Sequence, residues 1–213
     1  MNGSELVLAE AIDLAKRWAD GAGLQPFSFT LSSGELVVVR GRSGSGKSTL
    51  LALLAGWIAP SAGRLTRLGP WGAVGVEGTW RGTAILPQVI ATIAELTMTE
   101  NVALPLRLAG EPRHAANGRA RLLLDQLDLT GEADRAASDT SLGQQQRMAL
   151  ARAAVIEPIV MLADEPTSHQ DAGHVATVLD LFRSMVAGGS CILVASHDHT
   201  VADAADRVLD LDR

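Results

Sequence analysis

The sequence predicts an α/β fold with a mainly parallel sheet, on three observations. A β-branched run at 35–39 leads into the glycine-rich loop Gly41-Arg42-Ser43-Gly44-Ser45-Gly46-Lys47-Ser48-Thr49, and a Leu/Ala-rich helix follows it. Two further apolar runs, 159–163 and 191–195, read as buried strands that end in Asp164-Glu165-Pro166-Thr167 and Ser196-His197-Asp198. Between the loop and those strands, residues 90–150 turn helical in character. In open α/β sheets, ligands bind beyond the carboxyl ends of the strands. That rule brings Lys47, Asp164, Glu165 and His197 to one edge.

Taken in order, residues 5–19 carry Leu8, Ile12, Ala15 and Ala19 at helical spacing, and their composition alone predicts a helix. Phe27 and Phe29 alternate with Ser28 and Thr30, as in a half-buried strand. The helix from Lys47 is expected to end near Trp57, ahead of Pro60 and Gly63. Residues 61–82, rich in Gly and Trp, read as short surface strands and turns, and 84–86 as a brief strand stopped by Pro87-Gln88. Thr97-Met98-Thr99-Glu100 is a capping box that opens a helix limited by Pro105 and Gly110-Glu111-Pro112. Residues 119–129 read as an amphipathic helix carrying Leu122, Leu123, Leu127 and Leu129. Helices over 144–156 and 172–187 complete the pattern.

Composition bounds the function. The chain has 213 residues, enough for one domain, and 47% are apolar, enough for a substantial core. A net charge of −6 argues against a nucleic-acid partner. The single Cys191 lies in an apolar run, which suits a reduced cytosolic protein with a core thiol. Asn2, Ser4 and Glu5 interrupt the apolar start, so no secretory signal is read there. The longest strongly apolar stretch, 50–59, is well short of the roughly 20 residues of a membrane helix, so any membrane role is expected to be peripheral.

The loop carries the sharpest chemistry. Gly, four residues, then Gly-Lys-Ser, between a strand and a helix, is the phosphate-binding pattern. Glycines let the backbone curl around a phosphate and present N–H groups to it. The following helix points its positive dipole end at the same anion. Lys47 then reaches the β- and γ-phosphates, and the Ser48 hydroxyl is placed to ligate Mg²⁺.

The loop, Gln88, Gln144-Gln145-Gln146-Arg147, Asp164-Glu165-Pro166-Thr167 and His197, in this order, resemble the nucleotide-binding subunits of ATP-binding cassette (ABC) transporters over nearly the whole chain. Residues 86–88 and 96–106 are similar to the lipoprotein-release and macrolide-export group. The resemblance implies a P-loop NTPase core (1–89 and 157–213), an N-terminal antiparallel β subdomain and an inserted helical subdomain (90–156). On this reading the start of residues 5–19 is a strand. It implies ATP and Mg²⁺ as cofactors, with Ser48, Gln88 and Asp164 at the metal. Glu165 is then the carboxylate that polarises the attacking water, His197 the contact to the γ-phosphate, and Trp18 the ring that stacks on adenine. It also implies a homodimer or heterodimer with a second cassette, a transmembrane permease as partner, and a place on the cytoplasmic face of the membrane.

Two stretches depart from the family pattern. Ser141, Gly143 and Gln144 fit the signature segment that meets the partner's ATP, but Leu142 stands where a glycine is usual. A leucine there is expected to crowd the seam and to resist the backbone angles of glycine. In Ser168-His169-Gln170-Asp171, only Asp171 keeps the ending of the usual dimer-contact loop. A soluble ABC ATPase with a regulatory or structural role is the rival reading, and a P-loop kinase leaves Gln144–Arg147 and His197 unexplained.

Overall fold

The computed structural model describes residues 6–73 and 82–212. Strands β1 (Val7–Arg17), β2 (Gly23–Ser32) and β4 (Ala62–Arg67) form an antiparallel sheet in the order β2-β1-β4. Strands β3 (Leu36–Arg40), β5 (Thr83–Leu86), β6 (Val160–Asp164), β7 (Cys191–Ala195) and β8 (Arg207–Asp210) form a parallel sheet in the order β5-β6-β7-β3-β8. The helices are α1 (Lys47–Ala55), α2 (Gly69–Ala73), α3 (Met98–Leu108), α4 (Arg113–Gln126), α5 (Leu142–Ala154), α6 (Ala172–Ala187) and α7 (His199–Asp203).

The parallel sheet is covered on both faces. Val38, Met161, Ala163, Ile192 and Val194 point into a core shared with α3, α4, α5 and α6. Their neighbours Val37, Val39, Leu162, Leu193 and Ala195 point into a second core shared with α1, β1 and β2. Strands buried on both sides read as continuous apolar runs, which is why they were visible in the sequence. Full burial of one such side chain contributes roughly 1.5–3 kcal/mol. Polar residues therefore stand only at the strand ends, and the carboxyl ends become the place for chemistry.

Residues 7–17 form a strand, contrary to the helix their spacing alone predicts. Register shifts along β1 between Val7 and Ala9, Ala11 and Leu14, and Leu14 and Lys16 break the simple two-residue alternation. Buried positions then fall at Leu8, Ala9, Ala11, Leu14 and Ala15, a spacing that imitates a helix. Asp13 takes a left-handed backbone (φ 46°) at one irregularity, and its N–H donates to Ser28 Oγ at 2.8 Å.

Other boundaries move for local reasons. α1 stops at Ala55 because Gly56 turns left-handed (φ 76°) and its N–H caps Ala52 and Leu53. Pro105 lies inside α3 and does not limit it. The helix predicted over 119–129 runs instead from Arg113 to Gln126, with Ala116, Ala120 and Leu124 as its buried stripe, while Leu122 is exposed. α5 begins at Leu142, earlier than expected, because Ser141 and Gln144 form a capping box. In the Gly/Trp-rich segment, β4 is a surface strand as expected, but 69–73 is helical and Trp71 is buried, donating to Thr83 Oγ1 at 2.8 Å. The remainder of that segment, with Gly75, Gly78 and Trp80, lies outside the described residues.

Candidate nucleotide-binding site

The carboxyl ends of β3, β6 and β7 open into a cleft of about 590 Å³. Trp18, Gly41, Arg42, Ser43, Gly44, Gly46, Lys47, Ser48, Thr49, Gln88, Asp164, Glu165 and His197 line it. Ser45 belongs to the loop but does not line the cleft, and its hydroxyl is buried without a hydrogen-bond partner.

The loop geometry requires its glycines. Gly46, the residue before α1, has φ 101°, and a Cβ there would sit 2.8 Å from the Gly23 carbonyl oxygen. At Gly41 (φ 154°) a Cβ would meet Ser45 Oγ at 2.4 Å. The loop is thus wedged between the β1–β2 hairpin and the start of α1, with that helix aimed into the cleft. Lys47 Nζ bends back over the loop and donates to the carbonyls of Gly41 (2.7 Å) and Arg42 (3.3 Å).

At the end of β6, Ser48 Oγ donates to Asp164 Oδ2 at 2.7 Å. Burial pushes the Asp164 carboxyl above the usual carboxylate range, Ser48's hydrogen bond pulls the other way, and the charge of Glu165 adds to the rise. A carboxylate and a hydroxyl meeting in a half-buried place form a hard-oxygen pair, the donor chemistry that Mg²⁺ selects. A cation there would also offset the cost of the buried carboxylate, so the residues fit the metal.

Glu165 is held at every polar group. Its backbone is left-handed (φ 50°), a sparsely populated conformation for a non-glycine residue. Its N–H donates to Ala195 O at 2.8 Å, and its carbonyl accepts from Gln146 Nε2 (2.8 Å) and Ser168 Oγ (2.9 Å). The carboxylate lies 2.8 Å from His197 Nδ1 and accepts from Ser196 Oγ at 3.2 Å. The side chain of Glu165 is only 12% exposed, against 81% for His197, so a shielded carboxylate sits beneath an exposed imidazole.

Trp18 stands on the β1–β2 turn, where its N–H donates to Ala22 O, and its side chain is 43% exposed. Lys16 Nζ covers the ring at 4.8 Å from its centroid. Gln88 is exposed just past β5.

Ser141, Leu142, Gly143 and Gln144 do not line this cleft. They line a separate depression with Arg147, His169, Gln170, Asp171 and His174. Leu142 is the first residue of α5, 49% exposed, and has no left-handed backbone, so the expected conflict with glycine-like angles is absent. Asp171 caps α6, and its carboxylate lies 2.9 Å from His174 Nδ1. The sequence reading assigned nothing to Ser196, Ser168 or Gln146. Ser196 and Ser168 adjoin named motifs, and Gln146 lies in the quoted Gln144–Arg147 run, but only the fold shows that they converge on Glu165.

The ABC transporter family model matches residues 24–168. The chain belongs to the ABC transporter family. It is the ATPase cassette of that family. Among curated relatives it is 40% identical over 190 residues to an ABC transporter ATP-binding protein of Mycobacterium tuberculosis, covering 86% of this chain and 57% of that protein. The chain thus spans little more than half the length of that relative. It is 35% identical over 193 residues to the lipoprotein-releasing system ATP-binding protein LolD of Aquifex aeolicus, covering 88% and 86% of the two chains. It is 36% identical over 214 residues to the macrolide export ATP-binding/permease protein MacB of Rhodospirillum rubrum, covering 96% of this cassette and 33% of that protein. Among solved structures, a dimeric ATP-binding cassette in a post-hydrolysis state bound to ADP and Pi superposes with a TM-score of 0.84 at 26% identity, covering 95% of this chain and 94% of the other. No described helix is long and apolar enough to cross a membrane.

Proposed function

We propose that this cassette binds Mg-ATP and hydrolyses it to drive a separate membrane permease of the lipoprotein-release and macrolide-export type, from the cytoplasmic face of the membrane. The observation that carries the reading is the convergence of Lys47, the Ser48–Asp164 oxygen pair and the anchored Glu165–His197 pair in one cleft beside a helix N-terminus.

Lys47 leaves the carbonyls of Gly41 and Arg42 for the β- and γ-phosphates when nucleotide enters, and the loop N–H groups receive phosphate oxygens. Mg²⁺, when bound, neutralises charge on those phosphates, and Ser48, Asp164 and Gln88 are the residues that hold it. Glu165 orients the attacking water, and His197 keeps the Glu165 carboxylate aligned and reaches the γ-phosphate. Trp18 offers a half-exposed ring to the base. Residues 90–156 act as a helical unit inserted between the core segments 1–89 and 157–213.

A second cassette completes each site with its Ser141–Gln144 end and the loop at Asp171. The dimeric neighbour bound to ADP and Pi and the match to LolD over 86% of that protein support this reading. The surface beside Gln88 and residues 90–106 receives the permease; Val89 and Leu108, which adjoin these residues in sequence, are exposed apolar side chains. The test is purification of the chain from membranes in mild detergent with assay of Mg-dependent ATPase. A co-purifying multispan protein that stimulates hydrolysis is expected. An active ATPase recovered only from the soluble fraction, with no such partner, would favour the regulatory alternative.

A further inference from the structure

The loop between β6 and α6 departs from its family at Gln170, and the side chain there is occupied. Its Nε2 donates to the carbonyl of Gly143 at 3.0 Å and lies 3.5 Å from Gln146 Oε1. Its Oε1 accepts from Arg147 Nη1 at 2.7 Å. Arg147 is itself buried and fixed, its Nε donating to Leu127 O at 3.0 Å. Gln146, also buried, donates from its own Nε2 to the Glu165 carbonyl and to Ser168 Oγ, at 2.8 and 2.9 Å. At Gly143 a Cβ would sit 2.9 Å from the His169 carbonyl, so the two backbones are in direct contact.

The first turn of α5 and the loop from Glu165 to Gln170 are therefore one hydrogen-bonded body. Gly143 is in the turn that faces outward into the second depression, and Glu165 faces the nucleotide cleft. Gln170 and Gln146 span the distance between them. An apolar residue at 170 would have the packing without either bond.

We propose that Gln170 is a positioning residue for hydrolysis: with Gln146 and Arg147 it ties the outward end of α5 to the backbone of Glu165. Docking of a second cassette's nucleotide on that end then sets the carboxylate in the opposite cleft. The inference rests on the reading of Glu165 as the water-orienting carboxylate. Misplacing a reacting group by about 1 Å can cost on the order of 100-fold in rate, so a partial loosening is expected to lower kcat about tenfold. KM for ATP stays within about twofold of the parent, because no group of the phosphate loop is touched.

The experiment measures kcat, KM and backbone amide exchange in Gln170→Leu and Gln170→Glu. The glutamate variant keeps the acceptor for Arg147 and loses the donor that faces the Gly143 carbonyl and Gln146 Oε1. Both variants should show the fall in kcat at unchanged KM. Exchange should rise several-fold in 141–146 and 165–170 together, with 41–49 unaffected. Adding Gln146→Leu should lower kcat no further, since both residues serve one link. A parental kcat in both variants, exchange confined to 168–171, or additive losses in the double variant would overturn the proposal. If Glu165→Gln turns over normally, the reading of Glu165 fails, while paired exchange still reports the link itself.

Discussion

The nucleotide cleft and the signature end of α5 obey different constraints. In the phosphate loop of the cleft, backbone decides: Gly46 and Gly41 have no room for a Cβ. Residue identity at Gly41 and Gly46 is dictated by the close approach of Ser45 and of the Gly23–Leu24 backbone. At the signature end, Leu142 is half-exposed in ordinary helical conformation, and only Gly143 is pressed against another backbone. Side-chain hydrogen bonds hold that region together, through the Ser141–Gln144 box and through Gln170. A loop with no room for a Cβ holds its glycines, whereas a region fixed by side chains can be rebuilt with different partners.

Substitutions separate the two regions by size of effect. Lys47→Ala is expected to be the most severe, removing hydrolysis and most ATP affinity, because the β- and γ-phosphates lose their mobile cation. Equilibrium binding with a labelled ATP and a phosphate-release assay measure it, and parental values would break the cleft side of the comparison.

Asp164→Asn should abolish Mg-dependent turnover yet raise stability without nucleotide. Its carboxyl is raised in the folded chain chiefly by burial, so the folded state holds the proton more tightly than the unfolded state. Stability is then lost as pH rises through the carboxylate range. The variant should melt together with the parent near pH 3 and above it at pH 7, by on the order of a few degrees. A lower melting temperature at pH 7 would mean that Ser48's hydrogen bond outweighs the cost of burial.

Trp18→Ala should weaken ATP binding by about 1–3 kcal/mol, the range of base–aromatic stacking, with the fold intact because the ring is half-exposed. Unfolding with normal affinity in the folded fraction would make it a packing residue.

Leu142→Gly should have the smallest effect. Removing the side chain opens the seam to a partner's nucleotide, and a rise in rate of about threefold or less is expected, under 1 kcal/mol. Glycine in the first turn costs up to about 1 kcal/mol of helix propensity, so the variant should also melt lower. A lower melting point with no change in rate or dimerisation would leave Leu142 neutral at the seam.

The cleft was legible because its determinants are local in sequence: a glycine loop between strand and helix, and polar clusters after continuous apolar strands. The N-terminal strand was not legible from its own residues, since the irregularities in β1 place its buried side chains at helical spacing. Trp71 was hidden because its partner Thr83 is on another element, and a Gly-rich neighbourhood looks like surface. The supports of Glu165 were hidden for the same reason. Ser196, Ser168 and Gln146 come from different elements, and no spacing rule links them.

The proposed role of Glu165 is to orient the attacking water within a site completed by a second cassette. Glu165→Gln keeps the shape of the side chain and removes the charge that orients water. Turnover and size-exclusion elution with ATP, measured on the same preparation, test it most directly. Retained ATP binding, a fall in turnover by orders of magnitude, and an ATP-dependent dimer that accumulates are expected. Parental turnover with no dimer would contradict it and assign the chemistry to another residue.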